Sequence, residues 1–391
     1  MSSFLNPQIS CDFRQSINKS QVFVQDNKYK DYYNLSCAVM DRVDTCVSYL
    51  NKHEDYPNSE EEFLSFMMFG TMLVDAIKQI NKNLNIQNIY INKEDEYRFF
   101  SELYYNESLN ISKEEYPTDD KFFEYFRALT FAHPYETNRA KFLKKGEIQY
   151  SPWVIVNKSI SALYGMEDAV GVRIYSNKYD DIIDLRISFQ TLKDYIKSRY
   201  EQMNYATEWF KEKLELEKEI WKNQKINQNQ LPIEVLKEIE SILNSRYIES
   251  YEIKIAIEYL ECKLTEKRNE YVVSIYRRAV TDLIPKICYM IESLNEQESS
   301  EMLADIVFTR PKNMHQMGHY QLEKIFSYLH YGEGPNNVEW GLKNANDFSK
   351  EFAKKWVSID TNQMNFEEIK LLVRTACFLE REEQKKKVVS Y

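Results

Sequence analysis

The chain has 391 residues, with 51 lysines and arginines against 61 aspartates and glutamates, and its formal net charge is −10. This acidic balance argues against a protein built to hold duplex nucleic acid in bulk, although it leaves room for a local basic site. Glycine occurs only 8 times and proline 9 times, so few residues interrupt the chain and long helices are expected.

The N-terminal third predicts a bundle of helices. Residues 1–27 are polar, and we expect them to be irregular. From about Lys30 to Leu50, apolar side chains recur every three or four residues, which is the period of an amphipathic helix. Another predicted helix runs from about Thr118 to His133, where the following proline ends it. We therefore expect a helical bundle over residues 28–145.

The middle of the chain has a different pattern. From Ile183 to Phe189, apolar and polar side chains alternate strictly, and this period of two is typical of β-strands. Residues 146–190 are therefore predicted to hold a small antiparallel β insertion, at about 148–189. The helical pattern then returns, so residues 191–391 predict a C-terminal helical domain with a long helix kinked at Pro285. The predicted fold class is mainly α.

The location of the protein is also suggested by its sequence. The first residues lack the basic-then-apolar pattern of a signal peptide, and no apolar run approaches the ~20 residues of a membrane span. The six cysteines form no C-x-x-C pair and look like small core residues of a reducing compartment. We therefore expect a soluble, cytoplasmic protein that does not contact a membrane.

Arg127 and His133 form the first constellation that could carry chemistry. When a nucleophile attacks a phosphodiester, negative charge gathers on the phosphate oxygens, and a guanidinium matches that charge. An imidazole titrates near neutrality and can move the proton. Six residues of an ideal helix turn through about 600°, which leaves the two side chains about 120° apart. The two side chains would therefore not converge within one straight helix, and a kink before Pro134 is one way to bring them together.

Polar and basic side chains that could hold a nucleic acid backbone follow this pair. The lysines and arginine could bind the phosphate backbone, and the tyrosine could stack on an unpaired base. Tyr150 and Trp153 are near in sequence and could stack in the same way. The predicted substrate-binding residues are Tyr135, Asn138, Arg139, Lys141, Lys144 and Lys145.

The motif Arg127-Ala-Leu-Thr-Phe-Ala-His133 within a helical bundle resembles the HEPN family, whose signature is an Arg followed a few residues later by a His. The resemblance covers about residues 28–145, and Ala128 stands where the family commonly has a polar residue. It implies a metal-independent endoribonuclease that cuts single-stranded RNA, often as a toxin or antiviral defence effector. It further implies no cofactor, and a homodimer whose site forms where two bundles meet.

A structural interpretation stands beside the catalytic one. His133 follows Phe122, Phe126 and Leu129 on the apolar face of its helix, so it could be a core histidine that caps its own helix. Arg127 would then be an ordinary surface charge. In that case the chain would be a non-catalytic helical interaction or scaffold protein, which binds a protein partner through its C-terminal helices.

Three of the five histidines, His315, His319 and His330, fall within sixteen residues. His315 and His319 would share one face of a helix, which is a spacing found in metal sites. However, Gln316 stands where a zinc protease motif has glutamate. The preferred prediction is therefore a polar loop with no metal, and a metal site at these histidines is the alternative.

Overall fold

A computed structural model gives the fold of the chain, which is mainly α with a small antiparallel sheet, as predicted. The chain divides into two compact units, Met1–Leu214 and Glu215–Tyr391. The structure describes residues 3–86, 93–101, 116–138, 140, 143–156 and 167–389.

The helices of the first unit position the candidate site, and the last of them continues past Leu214 into the second unit. In chain order they are α1 (Pro7–Asn18), α2 (Val22–Gln25), α3 (Lys30–Lys52), α4 (Glu60–Asn83), α5 (Asp119–Arg127), α6 (Phe189–Glu201) and α7 (Met203–Lys222), together with a short 3-10 turn (Lys93–Tyr97) and a π turn (Ala128–Ala132) that follows α5. The expected irregular start is wrong, because α1 forms there. The Asn6 side chain caps α1 and Pro7 opens it, while Phe13 and Ile17 are buried.

Helix α4 lies at the centre of the first unit. The Ser59 hydroxyl accepts a hydrogen bond from the Glu62 amide and fixes the start of the helix, which then packs against α3 and α6. Among the described helices, α4 alone is long and apolar enough to cross a membrane by length and composition. Half of that stretch is buried inside the unit, as in the core helix of a soluble protein.

The predicted sheet is present in the first unit. Its strands are β1 (Gln149–Tyr150), β2 (Val154–Val156), β3 (Ala169–Ser176) and β4 (Tyr179–Ser188), all joined by antiparallel pairing. β3 is central, with β4 along one edge and with β1 and β2 sharing the other. The inner face buries Val172, Ile174 and Leu185. Gly171 allows a close approach of β4, since a Cβ there would lie 2.1 Å from the Leu185 carbonyl oxygen.

The second unit is helical and has its own core. Its helices are α8 (Pro232–Ser245), α9 (Tyr251–Glu261), α10 (Glu270–Thr281), α11 (Ile284–Glu292), α12 (Glu296–Val307), α13 (Gln316–Tyr328), α14 (Pro335–Phe348) and α15 (Phe366–Val389), with a short 3-10 turn (Lys267–Asn269) before α10 and a π turn (Ser349–Ala353) after α14. The predicted long helix with a kink at Pro285 is wrong. Two helices form instead, and Pro285 lies in the first turn of α11, where a missing amide proton costs little.

The boundary between the two compact units lies after Leu214, which is later than residue 191, the predicted start of the C-terminal domain. α6 belongs to the first unit because its Ile196 packs against Gly70 of α4. Phe210 of α7 likewise makes edge-to-face ring contacts with Phe13 and Phe23 near the N-terminus. Apolar residues of the first unit thus cover the beginning of the helical stretch that follows the sheet.

Arg246 is a buried charge in the second unit. Its guanidinium donates hydrogen bonds to the main-chain carbonyls of Trp221 and Ile291, at 3.1 and 2.8 Å. It also donates to the Gln224 side chain at 2.9 Å and pairs with Glu296 at 2.6 Å. One side chain therefore satisfies carbonyls near the ends of α7 and α11, where the helix dipoles favour a positive charge.

Candidate functional site

Arg127 is the last residue of α5, and its side chain points toward α4. Its Nη1 donates to Asp75 Oδ2 at 2.9 Å. A third of the Arg127 side chain and about half of the Asp75 side chain are exposed, at 33% and 48%. An ion pair this open to water contributes about 0–1 kcal/mol to stability, so its main effect is to orient the guanidinium.

His133 follows the π turn and points into solvent. Its main-chain N–H donates to the Ala128 carbonyl at 2.7 Å, across five residues instead of four. π turns of this kind are frequent at functional sites. His133 then leaves the helical conformation, with φ −144° and ψ 53°, and its side chain is exposed. The interpretation of His133 as a buried core histidine is therefore wrong, although Phe126 and Leu129 before it are buried.

The loop after His133 is fixed to the sheet by hydrogen bonds. The Thr137 hydroxyl donates to the His133 carbonyl at 2.7 Å, and Thr137 exchanges two main-chain hydrogen bonds with Gln149 of β1, both 2.9 Å. The Ser151 amide donates to the Pro134 carbonyl at 2.6 Å. His133 is thus held between the end of a helix and the edge of a sheet.

A buried polar network supports this loop from below. The Tyr125 hydroxyl of α5 donates to Gln149 Oε1 at 2.5 Å, and Gln149 Nε2 donates to Glu147 Oε1 at 2.9 Å. The Ser176 hydroxyl of β3 donates to the same oxygen at 3.2 Å, and the Lys144 amide donates to Glu147 Oε2 at 2.9 Å. Burial raises the pKa of Tyr125, which keeps its hydroxyl a neutral donor. The network joins α5 to the sheet and to the loop before β1, which contains Lys144.

His133 lines an open groove of about 600 Å³. The described lining consists of residue 128 and residues 131–138, which places Tyr135 and Asn138 on its wall. The Tyr135 side chain is 82% exposed. Arg127 is not among these lining residues, so the two predicted catalytic side chains leave the α5 segment toward different surfaces, one toward α4 and one into the groove.

The other predicted substrate-binding residues are placed only in part. Lys144 and Lys145 are exposed in the loop before β1. Arg139 and Lys141 lie outside the described residues. The groove therefore has the Tyr135 ring and the Asn138 amide on its wall. The two exposed lysines lie in the loop before β1, which hydrogen bonds to Glu147 connect to the sheet.

The histidines of the second unit do not form a metal site. His315 caps α13, with its Nδ1 accepting from the Met317 amide at 3.2 Å, and His330 Nε2 lies 3.0 Å from Glu333. Within the described ranges, no three His, Cys, Asp or Glu side chains are gathered so that they could hold a metal ion. The alternative metal site at His315, His319 and His330 is therefore not supported.

No family model, no curated protein and no solved structure matches the chain.

Proposed function

We propose that the first unit is a metal-independent endoribonuclease of HEPN type that cuts single-stranded RNA, with Arg127 and His133 as its catalytic pair. The observation that carries the proposal is the exposure of His133 on an open groove, one π turn after the helix that ends in Arg127. A histidine that only completed the core would be buried against Phe126 and Leu129. Growth arrest on expression would extend the proposal to a toxin or antiviral defence effector.

The chemistry needs only these two groups. The ribose 2′-oxygen attacks the adjacent phosphorus and its proton passes to a base, for which the His133 imidazole is suited. The bond from phosphorus to the 5′-oxygen breaks, and that oxygen takes a proton from water in the open groove as it leaves, while the His133 imidazolium returns its proton to solvent. The products are a 2′,3′-cyclic phosphate and a 5′-hydroxyl. The Arg127 guanidinium stabilises the charge that develops on the phosphate oxygens.

A dimer would bring the two groups together. Met68 of α4 is 43% exposed, and Asp75, seven residues further along, lies on the same side of the helix. This face carries Asp75 with Arg127, so a second copy packed along α4 could set its His133 against that arginine. A closed twofold dimer is the commonest symmetric assembly.

Sedimentation velocity at micromolar concentration tests the dimer. Met68→Glu should shift the protein toward monomer and lower RNA cleavage, because a charge is buried unpaired in the interface. Met317→Glu is the matched control, since Met317 is 49% exposed in the second unit. A wild-type protein that is monomeric but fully active would rule out a site shared between copies.

The catalytic pair is tested by Arg127→Ala and His133→Ala. Loss of the guanidinium should slow cleavage about 10²–10³-fold, and loss of the imidazole about 10²–10⁴-fold. Both variants should keep their melting temperature, because the Arg127 ion pair is a surface pair and His133 is exposed. Arg14→Ala and His53→Ala are matched controls, since Arg14 forms exposed ion pairs and His53 is exposed.

The same assay distinguishes metal-independent cleavage from other chemistry. Wild-type cleavage should persist in a chelator, because the two side chains supply the charge and the proton transfer themselves. Chelator-sensitive cleavage that zinc or manganese restores would contradict the proposal. Full activity of both alanine variants would contradict it as well.

The alternative is a non-catalytic helical protein that binds a protein partner. One observation favours it, namely that Arg127 already has a carboxylate partner in Asp75. The second unit also exposes several large aromatic side chains, which are typical of interaction surfaces. They include Tyr271 at 75%, Tyr289 at 70% and Tyr331 at 74% exposure. Failure of the cleavage assay with a stable, folded protein would make this the leading account.

A further inference from the structure

The outer face of the sheet carries three exposed aromatic side chains. Val172 of β3 is fully buried, so alternation along the strand places Arg173 and Tyr175 on the opposite, outer face. Tyr150 of β1 is paired with Tyr175, and directly opposed residues of antiparallel strands share a face. Trp153 stands beside Arg173, whose amide donates to the Trp153 carbonyl at 3.2 Å.

These aromatic side chains are accessible and partly fixed. Tyr150, Trp153 and Tyr175 are 39%, 44% and 38% exposed. The Arg173 guanidinium lies 5.2 Å from the centre of the Trp153 ring, which is a cation–π distance. Arg173 is itself held by two hydrogen bonds to Asp184, at 2.7 and 2.9 Å. Trp153 therefore rests against a guanidinium whose own geometry is set by a carboxylate.

Exposed lysines border the same end of the sheet. Lys178 lies in the turn between β3 and β4, and its Nζ is 3.8 Å from the position of a Cβ on Gly146. Asn177 lies in the same turn and connects it to the loop before β1. Its side chain accepts a hydrogen bond from the Ile148 amide and donates one to the Gly146 carbonyl. Lys145, which precedes Gly146, is also exposed. Positive charge thus adjoins the Tyr150 and Tyr175 end of the aromatic face.

This face continues from the groove that holds His133. Thr137 of the groove loop pairs with Gln149, and Tyr150 is the next residue of the same strand. A nucleic acid chain that left the groove along β1 would meet Tyr150 and Tyr175 first and Trp153 next. The lysines would lie where its phosphates pass.

We propose that Tyr150, Tyr175 and Trp153 form a stacking platform for unpaired bases of single-stranded RNA, an inference that rests on the proposed nuclease function and names the binding surface of its substrate. Every base has a π face, so stacking on aromatic side chains tolerates different sequences. The bases of a duplex are already stacked on each other and cannot occupy the platform. The platform therefore selects single strands, while Lys145 and Lys178 bind phosphates.

Binding is measured separately from cleavage. The full chain with His133→Ala is titrated against a fluorescein-labelled single-stranded RNA of about 12 nucleotides, with anisotropy as the readout. In this background, Trp153→Ala and Tyr175→Ala should each weaken binding about 5- to 150-fold. Trp340→Ala and Tyr205→Ala should leave it unchanged. They are matched controls, with 39% and 42% exposure, and Trp340 also carries a cation, Lys343, over its ring.

The salt dependence of binding distinguishes the two parts of the surface. Lys178→Ala should reduce the slope of log affinity against log salt by about 1, because one phosphate contact is lost. Trp153→Ala should weaken binding without a change in that slope. A duplex of the same sequence should bind more weakly than the single strand.

The outcomes separate this proposal from the nuclease proposal. If the His133→Ala protein and its Trp153→Ala derivative bind single-stranded RNA equally, the platform proposal is overturned, even if the wild type cuts RNA. Absence of any RNA binding by the His133→Ala protein would overturn it too. So would a Trp153→Ala substitution that changes sedimentation but not RNA binding, because that result points to a protein interface. Trp153-dependent binding by a wild type that never cuts would support the platform and remove the nuclease.

Discussion

Arg246→Ala should destabilise the second unit by about 3–5 kcal/mol, the range for breaking a buried pair by removing one partner. The Arg246 side chain is fully buried, and that of Glu296 is 17% exposed. The substitution leaves Glu296 without its cation and leaves the carbonyls of Trp221 and Ile291 without this donor. Each carbonyl keeps a main-chain donor, the Gln224 amide for Trp221 and the Leu294 amide for Ile291, so the expected loss comes mainly from the unpaired Glu296 carboxylate. The loss is a large part of the roughly 5–15 kcal/mol that stabilises an ordinary domain.

Urea denaturation followed by tryptophan fluorescence measures this loss. Arg246→Lys should recover only part of it, because an ammonium cannot match the fork of the guanidinium. Arg268→Ala is the matched control, since Arg268 is 66% exposed and pairs with Glu266, so a change of about 0–1 kcal/mol is expected. A loss within 1 kcal/mol for Arg246→Ala would refute the argument that this charge joins the helix ends energetically.

Two further predictions concern the sheet. The hydrogen bonds from Arg173 lower the pKa of Asp184, so its stabilising effect is present above the unfolded pKa of about 3.9 and is lost as the pH falls through the lower folded value. The melting temperature of Asp184→Asn should therefore be lower than wild type at pH 7 and approach it below about pH 4, and an equal difference at acid pH would contradict this linkage. Gly171→Ala should destabilise the first unit by about 1–3 kcal/mol or more, because its Cβ would lie 2.1 Å from the Leu185 carbonyl oxygen. Gly334→Ala, whose Cβ would meet nothing within 4 Å, should show no comparable loss in urea denaturation.

The long helices could be predicted because their apolar stripes are long. α3 and α4 cover 23 and 24 residues, so the helical period repeats many times. α1 was missed because its 12 residues are mostly polar, and its signals were the Asn6 cap and Pro7 rather than its periodicity. Pro285 signals a change in the helical path. The sequence alone does not distinguish a proline that opens a new helix from one that kinks a continuing helix.

The candidate site was only partly accessible from the sequence. The spacing of Arg127 and His133 is visible directly, and so is the basic segment after them. The exposure of His133 is not visible in the sequence, because it depends on the π turn between Arg127 and His133. The Tyr125 hydrogen bond to Gln149 also has no local signal, since the two residues are 24 positions apart and only the folded sheet brings them together.

The aromatic platform shows a similar limit. Alternation alone puts Arg173 and Tyr175 on one face of β3. Whether Tyr150 and Trp153 share that face depends on the register of β1 and β2, because a slip of one residue would turn their side chains to the other side. The register is set by pairing with β3, such as Val154 with Val172. Sequence proximity suggested Tyr150 and Trp153 as stacking residues but gave no reason to include Tyr175.

The π turn before His133 makes the site sensitive to chain length in a way that substitution does not reveal. A π turn holds one residue more than the α-helical turn it replaces. Each residue of a regular helix advances about 100°, so an in-frame deletion of one codon within residues 128–132 would restore regular winding and rotate all that follows by about that angle. Arg127 and His133 would both survive such a deletion. If Arg127 and His133 act together as proposed, gain or loss of that single codon among related genes would change activity while both residues remain in the sequence.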